Sequence, residues 1–328
     1  MTQQSMTRIS RDGIDLAGPP GLVTKSGSHG QLWYSDLNRQ LLVWDAYVGA
    51  WFPANGRCLY QPYASTSKWK ALLADDFKFA TLDGRYAKGK GSDGSAAYPV
   101  PSTSNIHRGE LTLASGAGAG ASMAANASLI TGPALEFAAA NGQITIEAKL
   151  KLANIANVWC FFGLTDVLAD DSTGLEAPAT LATTTFTTNA SDAVGFMFDT
   201  GATAAYLRCV GVKANTDAMT DATSKVEYDR TGAATATGAF APVADVYDGL
   251  KIVVATDGSA RFFTKVTRAT AGTSEAAGEA AWNATEWTLQ KTLAACVTPA
   301  TSLTPVIGVF AKTNAQKILT VDYWSCKQ

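Results

Sequence analysis

Residues Gln143–Leu152 alternate without a fault between apolar and polar side chains. Ile144, Ile146, Ala148, Leu150 and Leu152 share one side, and Thr145, Glu147, Lys149 and Lys151 the other. A strand turns successive side chains to opposite faces, so the segment reads as a strand with one dry and one wet face. Antiparallel sandwiches are built from such half-buried strands, whereas parallel α/β sheets use continuously apolar ones. The same grammar recurs downstream. Val158–Leu164, Ala193–Phe198, Ala205–Val212, Pro305–Phe310 and Ile318–Trp324 are short runs rich in β-branched and aromatic residues, separated by turn residues. Leu250–Thr256 and Ser259–Val266 flank Asp257 and Gly258, a pairing that predicts a two-residue type I′ hairpin. No long apolar helix interrupts the series, so the expected fold is all-β, an antiparallel jelly-roll sandwich.

The segment before the strands divides in two. Gly18–Gly21 contains Pro19 and Pro20 and excludes a helix there. Gln31–Tyr34 and Gln40–Trp44 predict a hairpin around a turn-like Ser35–Arg39. Trp33, Tyr34, Trp44, Tyr47, Trp51 and Phe52 make this the most aromatic stretch. Residues 1–60 are therefore expected to form an extended arm and hairpin whose rings either make a small local core or bury against a partner. Residues 61–105 are expected to connect, with one short helix over Ser67–Asp75 and loop from Gly89 to Pro101, leaving the sandwich over 106–328. The Ala/Gly/Ser-rich stretch before Ala127 reads by composition either as disordered or as a tightly packed loop.

Composition narrows the function. Charged residues make up 16% of the 328, and the net charge is −2, without a basic run that would mark a nucleic-acid footprint. No apolar stretch reaches membrane-spanning length, and the opening residues carry no secretory pattern. The five cysteines, Cys58, Cys160, Cys209, Cys296 and Cys326, are odd in number and lack metal-ligand spacing, so reduced buried thiols are expected.

Paired carboxylates on one strand would suggest glycoside cleavage. Glu147 stands alone on its strand and Asp322 is a single acid beside Tyr323 and Trp324, so no enzyme is expected. His29 and His107 have no ligand partners at metal spacing. Asp166, Asp170, Asp171 and Asp199 are candidate Ca²⁺ ligands because that ion collects oxygens from loops; turn-capping through Asx hydrogen bonds is the simpler reading of them. Otherwise no cofactor is expected. Trp282, Asn283 and Trp287 share a polar segment and are candidates for binding a glycan or for covering a sheet edge.

Ala74–Phe77, Gly142–Leu152, Phe162–Asp166, Thr188–Thr200, Leu303–Ile307 and Leu319–Tyr323 follow one another in an order that resembles a family of bacteriophage virion proteins with a laminin-G-like, concanavalin-A-like jelly roll. The resemblance implies a non-enzymatic virion component. The expected role is a capsid decoration, or cement, protein that bridges major capsid protein subunits as a trimer on the virion exterior, after synthesis in the host cytoplasm. The alternative is a host-glycan-binding adhesin on a tail or head fibre. Neither nucleic acid nor membrane is an expected partner.

Overall fold

The computed structural model describes residues 77, 82, 86–102, 109–118, 122–132, 137–167, 176–217, 219, 223–228, 240–266 and 286–328 with their side chains. It also describes the backbone of residues 221–222 and of six short strands before Phe77. The chain divides into two units, Met1–Lys70 and Ala71–Gln328.

In the first unit, strands β1 (Thr7–Ser10) and β2 (Gly13–Leu16) pair antiparallel. A second sheet orders β3 (Leu32–Ser35), β4 (Gln40–Asp45) and β5 (Ala50–Pro53). The predicted hairpin is thus present, with Trp33 opposite Leu42 and Tyr34 opposite Leu41. A third strand follows it and sets Trp51 opposite Trp44 and Phe52 opposite Val43. Tyr47 and the side chains of Trp33, Tyr34, Trp44, Trp51 and Phe52 lie outside the described residues.

The second unit opens with β6 (Leu72–Asp75), β7 (Ala87–Lys90), β8 (Val100–Pro101) and β9 (Leu111–Ala114). β10 (Ser128–Thr131), β11 (Ile144–Leu152) and β12 (Val158–Thr165) follow. Then come β13 (Ala179–Ala182), β14 (Thr185–Thr188), β15 (Ala193–Asp199), β16 (Leu207–Lys213) and β17 (Thr216–Asp217). The last are β18 (Asp248–Val254), β19 (Ala260–Val266), β20 (Thr288–Leu293), β21 (Thr304–Ala311) and β22 (Ile318–Lys327).

One sheet, of seven strands, runs β17-β16-β15-β12-β21-β10-β7; the other, of eight, runs β20-β19-β18-β11-β22-β9-β8 with β6 also paired to β22. Strands consecutive in the chain, such as β9 with β10, β11 with β12 and β21 with β22, take matching places in opposite sheets. This is the antiparallel jelly-roll sandwich that the alternation predicts. The inner faces share one core. Ile146, Ile252, Phe262 and Trp324 from one sheet meet Phe162, Phe196 and Ile307 from the other. Phe196 and Phe262 pack edge to face across the sandwich, with ring centroids 5.3 Å apart.

Three expectations need correction. Ser67–Asp75 is not a helix throughout, because Leu72–Asp75 forms β6 and pairs with Trp324–Lys327; tertiary pairing overrides local helix propensity there. For the same reason the segment 61–105 is not merely connecting, since β6, β7 and β8 all belong to the two sheets. The Asp257–Gly258 hairpin is not type I′. Only Gly258 has positive φ (81°), its N–H donates to Ala255 O at 2.9 Å and Ala255 N donates to Ser259 O at 2.8 Å. That is a three-residue loop whose type I turn ends in a glycine bulge. In the small-residue stretch, Met123–Asn126 forms one helical turn capped by Ser122. Gly91 packs so near its backbone that an added Cβ would lie 2.1 Å from Ala125 O, so the turn over 122–126 is tightly packed.

Candidate functional site

A sandwich has four sheet faces, and two make the core. The outer face of the seven-stranded sheet is covered by its own chain. Trp159, Phe161, Met197 and Phe310 point outward there, yet all are buried. The hairpin β13–β14 lies over them, with Leu181 buried in the same cluster. The indole N–H of Trp159 donates to Ala179 O at 3.0 Å. The outer face of the eight-stranded sheet has no such second core among the described residues, and it is where the polar half of the β11 alternation emerges.

Register places the side chains on this face. Glu147 of β11 is opposite Lys251 of β18 on one side and Ser325 of β22 on the other. Lys251 is opposite Phe263 of β19. Lys149 is opposite Tyr323. The β11–β22 register breaks between Lys149 and Leu150, where Tyr323 and Val321 are the partners and Asp322 is left over. The extra residue is a β-bulge. It lets Asp322 and Tyr323 both face outward while Val321 and Trp324 on either side are fully buried.

The groups on the face are tied together. Lys149 Nζ forms an ion pair with the Asp322 carboxylate and stands 4.8 Å from the centre of the Tyr247 ring. Lys151 covers the same ring at 4.6 Å and reaches Glu110 at 3.5 Å. The Tyr247 hydroxyl donates to Glu110. Tyr323 is hydrogen-bonded to Glu147; burial first, and then the Glu147 and Asp322 charges, push its phenol well above the usual tyrosine range. It therefore acts as a neutral donor throughout the physiological range.

Toward β19 and β20 the face becomes more aromatic. Lys251 Nζ lies 4.4 Å from the Trp287 ring centre and 5.1 Å from that of Phe263. Lys265 lies 5.9 Å from Trp287. Leu289, opposite Phe263, is 44% exposed. Burial holds the Lys251 amine below its ordinary value; Glu147 opposes this, and Lys327 and Lys265 add to it. From β19 across β18, β11 and β22 to β9 the strip crosses four strand spacings, about 19 Å at about 4.8 Å each.

Of the residues singled out from sequence, Trp287 is on this face, and Trp282 and Asn283 lie outside the described residues. Asp199, a candidate for calcium or for turn-capping, uses its carboxylate inside the fold. Its carboxylate is fully buried and paired with Lys312, and it accepts from Leu181 N at 2.9 Å and Gly201 N at 2.7 Å. Asp166 follows β12, its N–H donating to Asp192 O at 3.0 Å; Asp170 and Asp171 lie outside the described residues. Among the described residues no cluster of three or more metal-ligating side chains occurs.

Sequence reasoning treated Glu147 and Asp322 as solitary acids. The fold brings them together with Lys149 and Tyr323, from strands that are far apart in the chain. The available signal was the whole wet side of β11 rather than any motif. Lys149, Lys151, Lys251 and Tyr247 were missed because no local spacing links them.

No family model and no curated protein sequence matches the chain. Solved structures similar to it include the carbohydrate recognition domain of Emp47p, at 9% identity over 78% of this chain and 93% of that one, with a TM-score of 0.45. The lectin UEA-II complexed with galactose is similar at 9% identity, over 79% and 98%, with a TM-score of 0.45. A Bacillus licheniformis beta-glucanase is similar at 9% identity, over 77% and 96%, with a TM-score of 0.44. At such identities the likeness concerns fold alone. The strand order above carries the fold assignment: an all-β, antiparallel jelly-roll sandwich.

Proposed function

We propose that Ala71–Gln328 is a carbohydrate-recognition module and that the outer face of its eight-stranded sheet is the binding site. The observation that carries the reading is this outer face itself, over which no second core lies among the described residues. Aromatic rings (Trp287, Phe263, Tyr247) alternate along it with charged and hydroxyl groups already held by neighbours. Flat rings match the apolar faces of sugar rings, and preset donors and acceptors match their hydroxyls. Preordering lowers the entropy cost of recognition. The module acts by binding, without cleavage: Asp322 is engaged by Lys149 and Glu147 by Tyr323, which leaves the two acids as orienting groups. In this reading Met1–Lys70 attaches the protein to its carrier. A virion setting, with the adhesin on a fibre, rests on the sequence resemblance alone.

The test is a glycan array probed with the full chain, beside the W287A and Y247A variants. Wild-type hits that weaken in both variants support the reading. Absence of hits, hits unchanged in both variants, or release of shortened sugars from a bound polymer would overturn it.

The decoration reading places attachment in residues 1–60, and the observation that favours it is that Met1–Lys70 forms a separate unit with its own sheets. It predicts saturable binding of the full chain to decoration-free shells, lost on removal of residues 1–55.

A further inference from the structure

The core of the sandwich has a void at one end. The β11–β18 ladder ends where Leu150 faces Asp248, while β11 runs on to Leu152. Beyond that pair the loop before β18 closes on β11 instead. Asp245 N donates to Leu152 O at 2.8 Å, and Leu207 N donates to Phe240 O at 2.8 Å. The second bond sets the Phe240 ring, fully buried, in the shared core. A cavity remains between the sheets. The side chains around it include Leu152 of β11, Cys160 and Phe162 of β12, Phe196 of β15, Leu207 of β16 and Phe240.

Cys160 reports the void directly. It points inward between Val158 and Phe162, which are 0% and 2% exposed, yet it is itself only half-buried. Burial nonetheless pushes its thiol up to about 12. A side chain that lies deep and still has free surface faces an internal space. Among the described residues two charged ones border the cavity. Lys151 alternates to the wet face, where it meets Glu110 and the Tyr247 ring, so it contributes backbone. Asp248 shares the inward side of Leu150, is 5% exposed and has a partner already, so the site calls for no counter-ion. The cavity offers ≈ 20 Å³ to the centre of a water-sized sphere. Adding a water radius all round makes a space of about 120 Å³, near the roughly 150 Å³ of an apolar cavity that stays dry and takes benzene.

We propose that this cavity is a binding site for a small uncharged aromatic molecule of a single ring, seated between the two sheets. The inference is independent of the carbohydrate-recognition reading. Interiors are close-packed, and the walls of an empty apolar void forfeit dispersion contacts that a ligand restores. Size and lining select the occupant. One ring fills the space and meets Phe162, Phe196 and Phe240 in edge-to-face or offset geometry. A rigid ring loses no rotamer freedom on binding, whereas an alkyl chain of equal volume does. A charged ligand would surrender its hydration among these side chains. Local opening at the end of the sandwich gives entry.

The experiment is a fluorine NMR titration of fluorobenzene with the full chain, followed by displacement with toluene and with n-hexane. The expected result is saturable binding that toluene reverses at lower concentration than n-hexane. Two variants fill the cavity from different strands, C160L and L207F. Each is expected to weaken fluorobenzene binding at least about tenfold, with the thermal unfolding midpoint of the free protein unchanged or raised. C160A enlarges the cavity and is expected to bind indole about threefold more tightly than the wild type. Absence of saturable binding overturns the inference. Binding undiminished in both filling variants overturns it too, since the site would then lie elsewhere. Displacement by n-hexane at lower concentration than toluene overturns the aromatic assignment. Where circular dichroism shows that filling disrupts the fold, C160A decides, and unchanged affinity for indole overturns the inference. A glycan array without hits leaves it standing.

Discussion

Deleting Asp322 should leave the sandwich almost as stable as before, whereas deleting its neighbour Val321 should cripple it. The contrast follows from the bulge. In β22, Val321 pairs with Leu150 and Tyr323 with Lys149, so Asp322 has no partner of its own on β11. Its removal closes the ladder into regular alternation, with Val321 inward, Tyr323 outward and Trp324 inward. Pairing with β9 ends at Val321 and pairing with β6 begins at Trp324, so neither slips. The loss is the half-exposed ion pair with Lys149, about 1 kcal/mol or less. Removing Val321 leaves two poor choices. If the bulge is kept, Leu319 swings to the wet face and Thr320 enters the core; Leu319 and Val321 are 1% and 0% exposed. Losing two such side chains costs about 3–6 kcal/mol. If the bulge is given up, Asp322 takes the buried place of Val321, and desolvating a carboxyl there costs at least about 3 kcal/mol. Urea unfolding followed by tryptophan fluorescence reads the difference, since Trp159 and Trp324 are fully buried. With a denaturant slope of about 3 kcal/mol/M, the Val321 deletion moves the midpoint down by about 1 M or more, and the Asp322 deletion by about 0.3 M or less. Midpoints that agree for the two deletions, or a lower one for the Asp322 deletion, would refute the bulge as the device that turns both residues outward.

The remaining expectations concern the core, the thiols and one turn. Phe196→Ala and Phe262→Ala should each cost about 3–5 kcal/mol, and a double-mutant cycle should return about 0.5–1.5 kcal/mol of coupling for the edge-to-face pair; zero coupling in urea unfolding would deny the cross-sheet contact. Burial raises the thiols of Cys209, Cys296 and Cys326 well above the usual range and pushes Cys160 up to about 12. Native protein at mildly alkaline pH should therefore resist alkylation by iodoacetamide at these four, as peptide mass mapping reads, and react once unfolded in guanidinium chloride. The side-chain and backbone donors of Ser259 hold the Asp257 carboxyl below its ordinary 3.8. Its stabilising contribution is present above the unfolded pKa and lost as pH falls through the lower folded one. In an NMR titration Ser259→Ala should move the Asp257 midpoint upward, and an unchanged midpoint would contradict the turn geometry.

Much of the sandwich was written in the chain. The alternation of Ile144–Leu152 reappears as alternating burial along β11, because a half-buried strand leaves a period of two in its sequence. The closing strand was harder to read. Trp324 follows two outward residues, and a bulge breaks the very periodicity used to assign faces. Leu72–Asp75 has helix-compatible residues but finds its hydrogen bonds on β22, more than two hundred residues away, where no local preference reports them. The site was legible only in part. Trp287 stood out as an aromatic in a polar segment, and its companions Lys251 and Lys265 were visible merely as outward positions of a hairpin. Glu147, Lys149 and Tyr323 meet through strand order, which sequence spacing does not encode.

The most direct test of the central claim is amide hydrogen–deuterium exchange of the full chain with and without a polysaccharide that binds it. The account predicts added protection in β11, β18, β19 and β22 and around Trp287, with the strands of the seven-stranded sheet unchanged. Protection confined to the seven-stranded sheet or to Met1–Lys70, or failure of every polysaccharide to bind, would contradict it.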